Sequence, residues 1–258
     1  MKIYVRAVAV LSMCVLMSGL VFAQASPTLY APVYGYKIIA AYPHDPTAYT
    51  EGLIYLNGYL YESTGLFGQS TLRKVDLTTG TVLQEYTLPS NLWGEGLANW
   101  GNDLVQITQE VTSGLASGYV YDESTFDVLN SFTYTGNGWG LTQDGTHLIL
   151  SDGTCHLRFL DPTTFKQLSR VCVTDGPNTV TMLNELEWVY GRVYANVDLT
   201  NLIATIQPST GNVLAWIDLT GLNPAHWPNG IAYDPQLGRI FVTGKYWPYL
   251  YWIQYVHK

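Results

Sequence analysis

Along most of the chain, apolar and polar residues alternate in short runs, and each run is broken by a turn signal. Leu53-Ile54-Tyr55-Leu56 leads into Asn57-Gly58, and Tyr59-Leu60-Tyr61 leads out. A period of two marks strands whose faces meet different surroundings, and Asn-Gly between two such runs marks a two-residue hairpin. The arrangement recurs around Trp100-Gly101-Asn102, Asp144-Gly145, Tyr190-Gly191 and Leu237-Gly238. Gly58, Gly101, Gly145, Gly191 and Gly238 are spaced by 43, 44, 46 and 47 residues. A second turn alternates with the first, as Asp76-Leu-Thr-Thr-Gly80, Asp122-Glu-Ser-Thr-Phe126, Asp161-Pro-Thr-Thr-Phe165 and Gln207-Pro-Ser-Thr-Gly211. Two hairpins in each repeat of about 45 residues mean four strands per repeat. No segment after residue 25 carries the apolar period of a helix.

Four-stranded units of this length, repeated five times, predict an all-β fold: a five-bladed β-propeller with four antiparallel strands per blade. The fifth unit stops at Lys258, before its second turn, with its third strand expected over Tyr249 to Tyr255. Its missing outer strand is expected from Tyr36-Lys37-Ile38-Ile39-Ala40-Ala41, which would close the ring and cover a free edge. A two-sheet sandwich is the rival all-β arrangement, but a sandwich has no reason to repeat at a fixed period.

The first residues stand apart from this pattern. Lys2 and Arg6 precede an apolar run from Ala7 to Phe22, followed by small residues at Val21-Phe22-Ala23 and Ala23-Gln24-Ala25. This predicts a signal peptide over residues 1–25 and a single domain over 26–258. The run is short for a membrane span, so an uncleaved anchor is the lesser reading. The expected location is outside the cytoplasm, periplasmic or secreted. Apolar residues at 47% and charged residues at 12% exclude a disordered chain. A formal charge of −8 argues against nucleic acid or an anionic membrane as partner. Without Lys2 and Arg6 the basic count falls from 12 to 10 against 20 acidic residues. Cys155 and Cys172 flank the turn at Asp161-Pro-Thr-Thr, and a hairpin centred there sets them opposite each other. In an exported protein that pairing predicts a disulfide.

The repeat also locates a site. Residues that open the innermost strand of each unit line one mouth of the axis. The opening motif reads Glu51-Gly52-Leu53, Glu95-Gly96-Leu97, Trp139-Gly140-Leu141, Asn184-Glu185-Leu186 and Asn229-Gly230-Ile231. The next strand of each unit returns to the same mouth 14 to 16 residues later, with Gly65, Gln109, Asp152-Gly153, Asp198 and Lys245. Lys245 is the only basic residue of these two rings. Carboxylates around one poorly solvated lysine shift one another's pKa values and can move protons, while a lysine or amide steadies charge on a carbonyl oxygen. The bland alternative is a channel of polar residues that only holds water. The chain has no Gly-x-Ser-x-Gly elbow, phosphate-binding P-loop or His-Glu-x-x-His motif. The five histidines lack zinc spacing and read as surface or turn residues. Gly136-Asn-Gly-Trp-Gly140 imitates a phosphate loop, but no helix pattern follows it.

Several segments resemble the plant-type glutaminyl cyclases, or glutamine cyclotransferases, of plants and bacteria. They are Pro43-His-Asp-Pro-Thr-Ala-Tyr-Thr-Glu-Gly-Leu53, Trp93-Gly-Glu-Gly-Leu97, Gly138-Trp-Gly-Leu-Thr142 and Ser151-Asp-Gly153. Leu183-Asn-Glu-Leu-Glu187, Ala195-Asn-Val197, Asn229-Gly-Ile-Ala-Tyr233 and Val242-Thr-Gly-Lys-Tyr-Trp-Pro248 continue the series in family order. The resemblance implies a five-bladed propeller that converts N-terminal glutamine to pyroglutamate and releases ammonia, an acyl transfer by intramolecular aminolysis without metal or other cofactor. It implies that Glu95 is the acid/base carboxylate, that Asn184 and Lys245 contact substrate, and that Trp139 is a pocket aromatic. Tyr49 stands where phenylalanine is usual, Glu51 where glutamine is usual, and Gln109 and Asp198 where tryptophan is usual. All of these are expected to face substrate. The implied partners are peptides or proteins with N-terminal glutamine, bound by a monomer. The three polar departures leave a second reading open: a diverged member without cyclase activity, whose propeller binds another small ligand or peptide.

Overall fold

The computed structural model describes residues 28–109 and 114–258. The segment read as a signal peptide lies outside them. Among the described residues every regular element is a strand, and the first ten are β1 (Val33–Pro43), β2 (Thr50–Leu56), β3 (Tyr59–Thr64), β4 (Thr71–Asp76), β5 (Val82–Thr87), β6 (Gly94–Trp100), β7 (Asp103–Thr108), β8 (Leu115–Asp122), β9 (Val128–Thr135) and β10 (Leu141–Gln143). Then follow β11 (Leu148–Ser151), β12 (His156–Leu160), β13 (Gln167–Cys172), the short β14 (Thr174–Asp175) and β15 (Asn178–Thr179), and β16 (Leu183–Val189). The last six are β17 (Arg192–Val197), β18 (Leu202–Ile206), β19 (Val213–Asp218), β20 (Pro228–Asp234), β21 (Arg239–Gly244) and β22 (Tyr249–His257). Strands β2–β5, β6–β9 and β10–β13 form three four-stranded antiparallel sheets. An eight-stranded sheet runs β16-β17-β18-β19-β1-β22-β21-β20.

The two turn types explain the local geometry. Asn57 and Gly58 have φ of 53° and 90°, and Tyr190 and Gly191 have 49° and 77°, as a two-residue turn that follows the strand twist requires. In the second turn the fifth residue donates its N–H to the first carbonyl: Gly80 to Asp76, Phe126 to Asp122, Phe165 to Asp161 and Gly211 to Gln207. That fifth residue is left-handed in all four, which phenylalanine adopts at a cost. Phe126 and Phe165 offset the strain by burying their rings in the core.

The N-terminal strand pairs where the incomplete fifth repeat requires it. β1 runs antiparallel to β22, with Tyr36 opposite Tyr255 and Ala41 opposite Tyr251. Both strands are longer than expected, and β1 also pairs in parallel with β19. That second pairing was not legible in the repeat, and it makes one sheet of two four-stranded arrays. Asp175 fastens the seam: its carboxylate accepts from Tyr30 N and Ala31 N, both at 2.8 Å, and from Trp216 Nε1 at 2.9 Å.

Five apolar clusters make up the core, each between two successive four-stranded arrays. Leu97, Tyr61 and Phe126 join the first to the second, and Ala98, Leu141 and Phe165 the second to the third. Ile149, Leu186 and Trp216 join the third to the fourth, Tyr194, Ile231 and Trp247 the fourth to the fifth, and Leu53, Leu60 and Phe241 the fifth to the first. The innermost strands neighbour one another in the cycle β2, β6, β10, β16, β20 and back to β2. Glycine is needed where they meet, since a Cβ on Gly96 would lie 2.3 Å from Leu141 N.

The disulfide between Cys155 and Cys172 is present, with a Cα separation of 4.9 Å. The register differs from that expected. His156, not Cys155, lies opposite Cys172, because an irregularity between Phe159 and Leu160 shifts β12 against β13. The bridge therefore joins diagonal neighbours. A bulge moves a pairing by one residue, and its position is not readable from turn spacing.

Candidate active site

Two of the opening residues, Glu51 and Asn229, meet directly, and the charge of Glu51 acts on a third, Glu95. Glu51 and Glu95 are 3% and 4% exposed, and Asn184 and Asn229 are buried as well. A bulged register at each of these strand starts aims their side chains toward the axis. Glu51 is the hub. Its Oε2 lies 3.2 Å from Lys245 Nζ and accepts from Asn229 Nδ2 at 2.8 Å, while its Oε1 accepts from Trp93 Nε1 at 3.3 Å. Lys245 Nζ also sits 4.6 Å from the centre of the Tyr49 ring, where the ring face attracts a cation. Tyr49 meets Trp93 and Tyr246 edge-on, with centroids 5.7 and 5.3 Å apart.

Electrostatics binds this cluster together. Burial pushes the Glu51 carboxyl up to about 7, although Lys245 pulls it down. Glu95 is driven well above the usual carboxylate range, first by burial and then by the charge of Glu51, with Lys245 opposing. Burial disfavours the charged Lys245, but Glu51, Tyr49, Asp198 and Glu95 outweigh it and hold the ammonium above its ordinary value. Burial and the charge of Glu51 favour the protonated form of Glu95, beside the Glu51–Lys245 contact. Asn184 Oδ1 is buried without a hydrogen-bond partner, an acceptor left for a donor from outside.

The remaining predicted residues are Trp139, Gln109 and Asp198. Trp139 is half-buried and lies on Gly153, where a Cβ would come within 2.9 Å of its ring. Gln109 is half-buried, and its N–H donates to Trp93 O at 3.0 Å. The charge of Asp198 acts on Tyr49, Glu51, Glu95 and Lys245. Trp93 and Tyr246 were missed as site residues, though Tyr246 adjoins Lys245 and Trp93 lies two residues before Glu95, so nearness in sequence was the available signal. The reading of all histidines as surface or turn residues fails at His44. It is buried, with Nε2 3.0 Å from Glu62 Oε1 and Nδ1 2.7 Å from Trp247 O. A histidine with fixed partners is stable inside, and no spacing rule reveals those partners.

Glu185 stands where three of the other four opening motifs carry glycine before leucine. Its Oε2 accepts from Ile231 N at 2.8 Å and its Oε1 from Leu53 N at 3.3 Å, strapping β16 to β20 and β2. A cavity of about 420 Å³ opens at the far ends of the inner strands, bordered by Glu187, Trp188 and Tyr233. It includes none of the predicted site residues. Among the described residues no group of three or more His, Cys, Asp or Glu side chains is placed to hold a metal.

Fold and site together define an all-β protein with a desolvated carboxyl, an amide and a lysine gathered at one mouth, a set equipped for proton transfer on a carbonyl compound. The family model for glutamine cyclotransferase matches residues 10–255. A glutaminyl-peptide cyclotransferase of Arabidopsis thaliana is 40% identical over 229 residues, 84% of this chain and 70% of that protein. The crystal structure of Myxococcus xanthus glutaminyl cyclase superimposes with a TM-score of 0.80 at 34% identity, covering 88% of this chain and 98% of that one. The chain belongs to the glutamine cyclotransferase family.

Proposed function

We propose that this protein is a glutaminyl-peptide cyclotransferase, an acyltransferase that closes N-terminal glutamine to pyroglutamate and releases ammonia. The observation that carries the reading is Glu95, a buried carboxyl with its pKa driven far up beside the Glu51–Lys245 pair. The substrate α-amine attacks its own side-chain amide carbon. Glu95 relays the proton from that amine to the departing nitrogen, so the C–N bond to ammonia breaks as the ring C–N bond persists. Lys245 steadies the tetrahedral oxyanion. Asn184 Oδ1 accepts an N–H of the substrate, and Tyr49, Trp139 and Gln109 wall the pocket, with Glu51 and Asp198 as its charged flank. The cyclisation is unimolecular once the chain is oriented, so positioning carries much of the barrier reduction.

The reading assigns each proton transfer to protein groups and needs no metal, so turnover persists after dialysis against a chelator. The five cyclic neighbours of the inner strands and the five inter-array clusters support a five-bladed β-propeller over residues 26–258. The apolar run after Lys2 and Arg6 and the disulfide support removal of residues 1–25 and export to the periplasm or beyond. The protein works as a monomer on free peptide N-termini, apart from nucleic acid and membrane. Ammonia release from a glutaminyl dipeptide, with mass loss of the peptide, tests the activity. One observation favours the second reading: Glu51 already holds Lys245. Peptide binding without ammonia release would make the protein a binding member of the family.

A further inference from the structure

Charge at the mouth does not balance, and the imbalance points to the residue that follows glutamine in the substrate. Lys245 is matched by Glu51 at 3.2 Å. Asp152 lies 3.8 Å from Arg158. Asp198 is the carboxylate left over: it is half-buried, and among the described residues no cation lies within ion-pair distance of it. Its position is built rather than incidental. Asp198 N donates to Met182 O at 2.8 Å and Met182 N to Gly153 O at 2.7 Å, which ties Asp198 to the glycine beneath Trp139. The tight turn after it is closed by Thr200, whose Oγ1 donates to Val197 O at 2.6 Å, with Leu199 left-handed at φ 60°. Those bonds hold it on the same side as Gly153 and Trp139, and its charge is felt at Tyr49, Glu51, Glu95 and Lys245.

Once the α-amine is ready to attack, the glutaminyl end leaves it uncompensated. The α-amine must be uncharged to attack, and the side-chain amide carries no charge. A cation on the second residue can neutralise it, because lysine and arginine side chains reach several ångströms from their backbone. We propose that Asp198 is a specificity-determining residue that selects peptides with lysine or arginine immediately after the N-terminal glutamine. The inference rests on the cyclase reading of the same mouth. The chain's net charge of −8 adds a long-range attraction of the same sign.

The test uses peptides Gln-Lys, Gln-Ala and Gln-Glu of one length with amidated ends, in the wild type, Asp198→Asn and Asp198→Lys. Both kcat/KM and calorimetric Kd are measured at low and high salt. The expected preference is about 3–5-fold for Gln-Lys over Gln-Ala, the scale of a rim ion pair, and about 10-fold over Gln-Glu. Salt shrinks both ratios, Asp198→Asn removes them, and Asp198→Lys reverses the order. Equal ratios in the wild type, or a lysine preference that survives Asp198→Asn, overturn the proposal. The Kd ratios decide it even if no peptide is turned over, an outcome that would instead overturn the cyclase reading.

Discussion

Glu95 and Glu51 occupy matching places on neighbouring inner strands, yet their surroundings divide them. Glu51 is held by Asn229, Trp93 and Lys245 and so cannot swing to deliver a proton. Glu95 is driven toward its protonated form by burial and by the charge of Glu51. Glu95→Gln keeps shape and hydrogen bonding but relays no proton, and should lower kcat by ~10²–10⁴ with KM little changed. Circular dichroism beside steady-state kinetics separates this loss from misfolding. Glu51→Gln removes a negative charge that helps raise Glu95. The pH profile of kcat/KM should then shift its Glu95-dependent limb to lower pH, and an unmoved limb would show that the two carboxyls are uncoupled. Both residues were legible from the 44-residue offset of the opening motifs. The Trp93 contact was not, because it depends on a side chain crossing Gly65, where a Cβ would sit 2.4 Å from the Trp93 indole nitrogen.

At the scale of elements, the seam between β1, β19 and β14 depends on one carboxylate. Asp175→Ala leaves Tyr30 N, Ala31 N and the Trp216 indole without their acceptor. The Trp216 indole is the fully buried donor, and stranding it costs about 1–3 kcal/mol; the part-buried amides of Tyr30 and Ala31 can turn to water, so stability should fall by roughly 2–3 kcal/mol in all. Urea unfolding checks the size, and hydrogen exchange at β1 checks the place, since a loss spread evenly would not be a seam effect. The disulfide closes a loop of 17 residues by sequence separation. Replacing both cysteines by alanine should cost about 3 kcal/mol on the loop-entropy scale, read from the same urea midpoints. The pairing partner of β22 was predictable because an incomplete repeat leaves an edge. The parallel contact with β19 was not, because it involves no repeat at all.

For the whole molecule, the buried acids set the pH response. Burial raises Glu51 to about 7 and Glu187 to about 8, and drives Glu95 and Glu185 well up. From their ordinary 4.5 up to these values, the folded state binds more protons than the unfolded one, so stability falls as pH rises through that window. His44 adds to the same trend. Burial works against its charge, but Glu62 outweighs burial and raises it, so its contribution is lost as pH climbs through its folded pKa. On the acid side, Glu62, Asp45 and Asp144 are lowered overall, although burial alone would raise each. Their hydrogen bonds and cationic neighbours prevail, and that stability is lost as pH falls through the lowered values. The melting temperature should therefore peak at roughly pH 4–5 and fall toward pH 9. Scanning calorimetry at three pH values checks this, and a maximum above pH 8 would contradict the buried-acid account.

The all-β class, the count of repeats, the two hairpin types and the placing of Glu51 and Glu95 at matching points of neighbouring inner strands were all determined by the chain's own periodicity. Turn chemistry and a period of two are local, and a fixed repeat carries equivalent residues to equivalent places. The sharing of Lys245 between Glu51 and Tyr49, the strap at Glu185, the buried His44–Glu62 pair and the one-residue offset of the disulfide register were decided only by tertiary structure. Each depends on which side chain of one array reaches the backbone or charge of another, or on where a strand bulges. Those distances arise from packing across the axis, and no local pattern encodes them.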